Sequence, residues 1–288
     1  GRLLHVSKDT VTRYILKAGD HARKAHDELV AFSPHTKEIQ MDERWSFVEK
    51  KEKNVEKDVT TTTLNGDNWD HTAMDAESRL VLSIIPGKRT AENCVKLVEE
   101  VNKRTGGRTG VFLTSDEHAP YVKAIEKVYG VPVTPPKRSG PGRPPNPRLE
   151  MPSDLCYATV KKTRKNGQVV KVTKTLVFGT WLLLALYLIC SLVSKTINTS
   201  FVERNNGTER GQNSRKARKT LAFSKLENLH NAASYFTGFS YNFCWPVRTL
   251  DQKGVEGKIT HRTPAMAAGL TDHIWTIREW CMFPVPVG

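Results

Sequence analysis

Glu38-Ile-Gln-Met-Asp-Glu-Arg-Trp-Ser-Phe-Val-Glu-Lys50 is the stretch from which the fold can be read. Apolar side chains recur at Ile39, Met41, Trp45 and Phe47, the period of two expected of a strand with one face buried. Residues 69–78 and 79–86 read as further strands. Residues 90–103 read as a helix capped by Thr90 with Glu92 in its first turn. Residues 109–114 form a short apolar strand, and 119–129 a helix with Pro120 in its first turn. Strands followed by helix, strand and helix predict an α/β layered domain. Residues 155–177 read as a hairpin turning at Asn166-Gly167.

Upstream, residues 7–18 have Ser7 as N-cap, apolar Val11, Ile15 and Leu16, and Gly19 as a stop. A second helix spans about 20–32. Together they predict a partial helix-turn-helix in residues 1–33, with its first helix lying further upstream. The α/β domain is expected over 34–245, with an insertion at about 131–175, and a C-terminal tail with short helices over 246–288. Eight of the fifteen prolines fall within residues 131–152, so that segment is expected to lack regular structure. Its Gly142-Arg143-Pro144 core resembles an AT-hook, which enters the minor groove of A·T-rich DNA; a plain Pro-rich linker is the alternative.

The chain has 288 residues, 44 Lys+Arg against 30 Asp+Glu, and a pI near 9.6. A surplus of +14 calls for a polyanionic partner, nucleic acid first and an anionic membrane second. The charge is local. Residues 131–175 carry ten basic side chains against two acids, and residues 203–225 carry seven against two. Five cysteines, widely spaced, exclude a CxxC zinc pair and a dense disulfide framework and fit a reduced, cytoplasmic setting. Residues 175–194 are free of charge and long enough to span a bilayer. Because Gly179-Thr180 breaks the run and its two flanks are equally basic, a buried helix is the expectation and a membrane-anchored protein the lesser alternative.

Three acids have the context required by two-metal phosphoryl transfer: Asp42 in the first strand, Asp116 at the end of another, and Glu203 near the start of a basic helix. Hard divalent cations select carboxylate oxygens converging from separate elements.

Met41-Asp-Glu-Arg-Trp-Ser-Phe-Val, Phe112-Leu-Thr-Ser-Asp-Glu-His-Ala-Pro-Tyr, Thr196-Ile-Asn-Thr-Ser-Phe-Val-Glu-Arg-Asn-Asn-Gly-Thr, Arg218-Lys-Thr-Leu-Ala-Phe-Ser-Lys and Tyr241-Asn-Phe-Cys-Trp-Pro-Val-Arg together resemble the transposases of the insertion sequence one family. The likeness continues to Thr263-Pro-Ala-Met-Ala-Ala-Gly-Leu-Thr-Asp-His. It implies a ribonuclease H-like mixed sheet flanked by helices, with Asp42, Asp116 and Glu203 as the catalytic and metal-binding triad. It also implies two Mg²⁺ or Mn²⁺ ions, cleavage of transposon ends, and transfer of the freed 3′-OH into target DNA. The partners would be double-stranded DNA, as terminal inverted repeats and target, and further copies of the chain on it, in a prokaryotic cytoplasm near the nucleoid. Setting the insertion aside brings the Asp116–Glu203 spacing close to that of compact DDE recombinases. Arg210, two helical turns after Glu203, is expected to hold the terminal phosphate, with Asn206 on the same face. Arg204, Arg215, Lys216, Arg218 and Lys219, with Arg143, Arg148, Lys161, Lys162, Arg164 and Lys165 of the insertion, are expected to contact the DNA backbone. Members of the family begin with a cysteine finger and a complete helix-turn-helix, both of which this sequence lacks. A domesticated DNA-binding relative without cleavage activity is the alternative function.

Overall fold

The computed structural model describes residues 5–55, 65–135, 146–254 and 257–286. A six-stranded mixed sheet organises them, with helices on both faces. Its strands are β1 (Glu38–Val48), β2 (Gly66–Asp75), β3 (Val81–Gly87), β4 (Phe112–Asp116), β7 (Cys156–Lys165) and β8 (Gln168–Phe178), in the order β3-β2-β1-β4-β7-β8. β1, β2 and β3 form an antiparallel meander, β4 and β7 run parallel to β1, and β8 returns antiparallel. This order is compatible with a ribonuclease H-like fold. The helices α2 (Ala91–Arg104) and α3 (Pro120–Tyr129) pack together, with α2 over β2 and β3. On the other face α5 (Ser200–Gln212) lies on β1 and β2, α6 (Glu227–Cys244) on β3, and α1 (Lys8–Leu29) on α6.

The period-two reading of β1 holds. Ile39 and Met41 are fully buried in the main core, and the caps expected of α2 are present, Thr90 accepting from Asn93 N. Its polar face is buried as well, because α5 and α6 cover it: Gln40, Arg44 and Ser46 are all at or near zero exposure. The hairpin turns at Asn166 (φ 50°) and Gly167 (φ 80°), the left-handed pair that a two-residue type I′ turn demands.

Four expectations need correction. First, no helix-turn-helix forms in the described part of residues 1–33: α1 runs unbroken through Gly19. There α1 crosses α6 so closely that a Cβ on Gly19 would lie 2.4 Å from Ala232 Cα. Gly19 is a contact residue, and the helix does not stop at it. Gly19→Ala therefore loses about 1–3 kcal/mol in urea unfolding, although alanine is the better helix former by about 1 kcal/mol; a gain in stability would contradict the close crossing.

Second, the described part of residues 131–175 is not wholly an insertion. Cys156–Val160 is an interior strand, buried and paired with β4 from Phe112↔Cys156 to Asp116↔Val160. Only the second half of β7 and most of β8 project, exposed. Third, the Pro-rich segment does hold regular structure at its ends: β5 (Val131–Val133) pairs antiparallel with β6 (Arg148–Glu150). The AT-hook-like core with Arg143 lies outside the described residues.

Fourth, the apolar run is a surface helix, α4 (Trp181–Cys190), in which only Leu184 is buried. One stripe, Leu183, Leu184, Tyr187 and Leu188, covers Phe112, Cys156 and Ala158, while Trp181, Leu182 and Ile189 remain about 70% exposed. At ten residues it is about 15 Å long, half a bilayer core, and among the described residues no helix is long and apolar enough to cross a membrane. The C-terminal part carries the short helices α7 (Pro264–Ala267) and α8 (Ile277–Met282), and Trp280 is wholly buried against Phe243.

A candidate two-metal acidic cleft

Register alone brings the first two acids together. β1 and β4 run parallel with Met41 opposite Ser115, so the next residues along, Asp42 and Asp116, emerge side by side where β4 ends. α5 is fastened over them by successive residues on one face of β1. Gln40 Oε1 accepts from Phe201 N at 2.9 Å and Val202 N at 3.3 Å, capping the start of α5. Asp42 Oδ2 accepts from Asn206 Nδ2 at 2.8 Å, and its Oδ1 from Glu43 N at 2.9 Å. Arg44 pairs with Glu209 one turn further along α5 and, at 2.5 Å, with Asp70 Oδ2 on β2. This fastening sets Glu203, in the first turn of α5, at the edge of the same cleft.

The cleft has a volume of about 600 Å³, and its walls include Asp42, Asp116, Glu203, Asn206 and Arg210 as well as Glu43 and Arg89. Carboxylate oxygens of Asp42, Glu43 and Asp116 lie within 4.8 Å of one another. Glu203 stands slightly apart, held by Lys162 Nζ at 2.5 and 2.6 Å and by Thr199 Oγ1 at 2.5 Å. Burial, then the negative charges of Asp116, Glu43 and Glu203, push Asp42 up to about 7. Burial and Glu43 push Asp116 up to about 6, with Arg89 pulling the other way. A cluster that resists full ionisation at neutral pH has room for added positive charge. The donor set is entirely carboxylate oxygen, and Asp116 Oδ1 is buried without a partner, so these residues fit hard divalent cations.

The basic residues expected on DNA divide sharply. Lys161, Lys162 and Arg164 lie just past Val160, where β7 leaves the sheet, and they overhang the cleft together with Arg210 and Arg218. Lys161 pairs with Glu117 and Lys162 with Glu203. Arg210 is half-buried, with Nε unpartnered. Lys165 and Lys219 are exposed nearby in the chain, and Arg148 is exposed and paired with Glu150. Others point elsewhere. Arg204 lies on the far side of α5, beside Phe201 and Tyr241. Arg215 lines an apolar hollow beside Val11 and Phe236 and bonds Ser224. Asn206 is spent on Asp42. Lys216 is fully buried, bonded to Asp70 and His230, so it cannot reach DNA.

Six lining residues of the cleft were not singled out from the sequence: Glu43, Arg89, Glu117, His118, Val160 and Thr199. Glu43 did leave a signal. It interrupts the apolar series Ile39, Met41, Trp45, Phe47 at the position whose side chain faces the core, and an acid there has to be paired. Arg89 supplies the pairing, donating to Glu43 Oε2 from Nη2 at 2.8 Å and Nε at 3.2 Å. Its Nη2 also approaches Asp116 Oδ2 at 3.6 Å, and its guanidinium lies over the Trp69 ring.

No family model and no curated protein matches the sequence. Among solved structures the chain is similar to that of the Mos1 Strand Transfer Complex, at 12% identity over 40% of this chain and 38% of that one, with a TM-score of 0.21. A pre-cleavage Mos1 transpososome matches at 12% identity over 41% of each chain, with a TM-score of 0.22. The chain thus spans about two-fifths of the length of the structures it matches.

Proposed function

We propose that this protein is a DDE-type DNA transposase, related to the insertion sequence one family, that cleaves transposon ends and joins the 3′-OH to target DNA. The observation that carries this reading is the meeting of Asp42, Asp116 and Glu203, from three separate elements, in one cleft overhung by arginines and lysines. Divalent cations held by these carboxylates would supply neutralisation of phosphate charge and activation of the attacking hydroxyl.

The remaining work belongs to the chain's own residues. Asn206 and the Glu43 amide hold the Asp42 carboxylate in one orientation. Arg89 keeps Glu43 and Asp116 together against their mutual repulsion. Arg210, Arg164, Lys161 and Arg218 grip backbone phosphates on either side of the reacting one. Lys162 exchanges Glu203 for a phosphate as DNA enters, which frees that carboxylate when substrate is present.

The test pairs chemistry with binding. Duplexes carrying the sequences that flank the protein's own gene are incubated with Mg²⁺ or Mn²⁺, and nicked and joined products are resolved. Asp116→Ala removes both products while DNA binding persists. Arg218→Ala weakens binding and lowers the salt slope by about one, and Arg204→Ala leaves the slope unchanged. DNA binding without any metal-dependent nicking in the parent protein would establish a non-cleaving relative instead.

A further inference from the structure

At the inner wall of the acidic cleft lies a second group of unsatisfied side chains with a different chemistry. Glu43 turns one oxygen to Arg89, and the other, Oε1, is buried with no partner. Cys94 of α2 is a free thiol at zero exposure. His118, just before α3, has its Nε2 buried with no partner. One ligand atom from each of these three residues lies within 4.8 Å of the others. His71 on β2 is the cross-strand partner of Glu43. Its Nδ1 is 3.0 Å from Ile85 O, so that nitrogen carries the proton and the buried, unpartnered Nε2 presents a bare lone pair. Several acceptors converging at the inner wall of the cleft call for something positive between them.

We propose that Glu43, Cys94 and His118 form a binding site for one zinc-class divalent ion, adjoining the hard-cation site of Asp42, Asp116 and Glu203, with Glu43 at the border between the two. Sulfur, imidazole nitrogen and carboxylate oxygen are together the donor set of Zn²⁺, whereas Mg²⁺ refuses thiolate. Water completes four-coordination. Cys94 gives up its proton to solvent on binding, and no other bond changes. The site's place in the chain suggests its use. Glu43 follows Asp42 directly, and His118 is two residues past Asp116, so an ion here ties the ends of β1 and β4 to α2. It would thereby fix the spacing of the two acids. The inference rests on this geometry and does not require the transposase reading.

The experiment uses the full chain, stripped with a chelator and titrated with Co²⁺, which reports its ligands by absorption. One equivalent with tetrahedral d–d bands and a thiolate-to-cobalt charge-transfer band is the expected result, and one equivalent of Zn²⁺ abolishes both. Cys94→Ser loses the charge-transfer band, half-exposed His118→Ala binds roughly 10- to 100-fold more weakly, and Asp42→Asn keeps the band. Because Cys94 is buried, its variant is paired with Cys190→Ser/Cys281→Ser, which removes both exposed thiols and retains the band. Three outcomes overturn the site: no charge-transfer band in the folded parent, a band that survives Cys94→Ser, or a band lost in Asp42→Asn. The first is what results if the Tyr121 hydroxyl, also buried and unpartnered, satisfies Glu43 instead. DNA joining is read in a separate assay, so either proposal can fail alone.

Discussion

Asp42→Asn is expected to make the metal-free protein more stable at pH 8 while reducing strand transfer by roughly a thousandfold or more. The two effects share one cause. Asp42 is half-buried beside Asp116, Glu43 and Glu203, and ionises in the folded chain near 7, against about 4 in an unfolded one. Between those values the folded chain binds the extra proton, so this group's contribution to stability falls as pH rises from about 4 to about 7 and stays low above that. Asparagine keeps the shape and never ionises; its oxygen accepts from Glu43 N, and its NH2 donates to Asn206 once that amide turns its unpartnered Oδ1 inward. The difference between variant and parent should therefore be near zero at pH 4 and reach about 1–3 kcal/mol in favour of the variant at pH 8; joint titration with Asp116 keeps it below the value for an isolated group. Added Mg²⁺ reverses the order, since only the parent gains stability by binding it. Urea unfolding at several pH values, with and without Mg²⁺, measures both effects. A variant less stable than the parent at pH 8 without metal, or one that still joins DNA, contradicts the assignment of Asp42.

Acidification has a related consequence for loading. Asp42 and Asp116 take up protons near 7 and near 6, so a cation must displace those protons as it binds, and affinity falls as pH drops through that range.

Much of the frame was legible in the sequence because it depends on local pattern. β1 announces itself by alternation, α2 by its Thr90 cap and the hairpin by Asn166-Gly167, all of which are in place. Asp42 stands out as an acid inside the first strand and Asp116 as an acid at the end of another, and the parallel register that makes neighbours of them follows from the sheet order. Where partner, not pattern, decides, the sequence misled. Gly19 reads as a helix stop until Ala232 is seen against it. Cys156–Val160 reads as half a hairpin, because a strand's parallel neighbour leaves no mark nearby in sequence. Residues 181–190 are apolar on every side, so periodicity could not tell which stripe would face the sheet. Lys216 hides in a run of basic residues whose others are mostly exposed, and only the fold shows Asp70 and His230 around it.

That buried lysine belongs to the network on which the second large effect depends. Arg44, Asp70, Glu209 and Lys216 are four charged side chains at zero exposure, two cations against two anions. Lys216 Nζ donates to Asp70 Oδ1 at 3.0 Å and to His230 Nε2 at 2.6 Å, so His230 carries its proton on Nδ1, toward Ser224 Oγ at 3.0 Å. Burial and the Lys216 ammonium hold His230 down to about 3, and it stays neutral throughout the working range. The Lys216 and Arg44 cations hold the Asp70 carboxyl well below the usual range against the cost of burial. Arg44→Met leaves two buried carboxylates facing one ammonium. It should cost about 3–5 kcal/mol, enough to leave much of the chain unfolded at 37 °C. The cost lies in the uncompensated charge and not in the lost pair, so Arg44→Met/Glu209→Leu, which keeps Asp70 opposite Lys216, should recover at least half of it. The double variant then isolates the network's other task. Arg44 lies two residues from Asp42 on the same face of β1, and Glu209 lies on the helix that carries Glu203, so the pair holds α5 in register with β1. A refolded double variant should bind DNA as the parent does but need several-fold more Mg²⁺ for half-maximal strand transfer. Unfolding curves together with Mg²⁺ titrations decide it: a double variant as unstable as Arg44→Met, or one with the parent's Mg²⁺ requirement, would show that the ion pairs neither carry the cost nor align the acids.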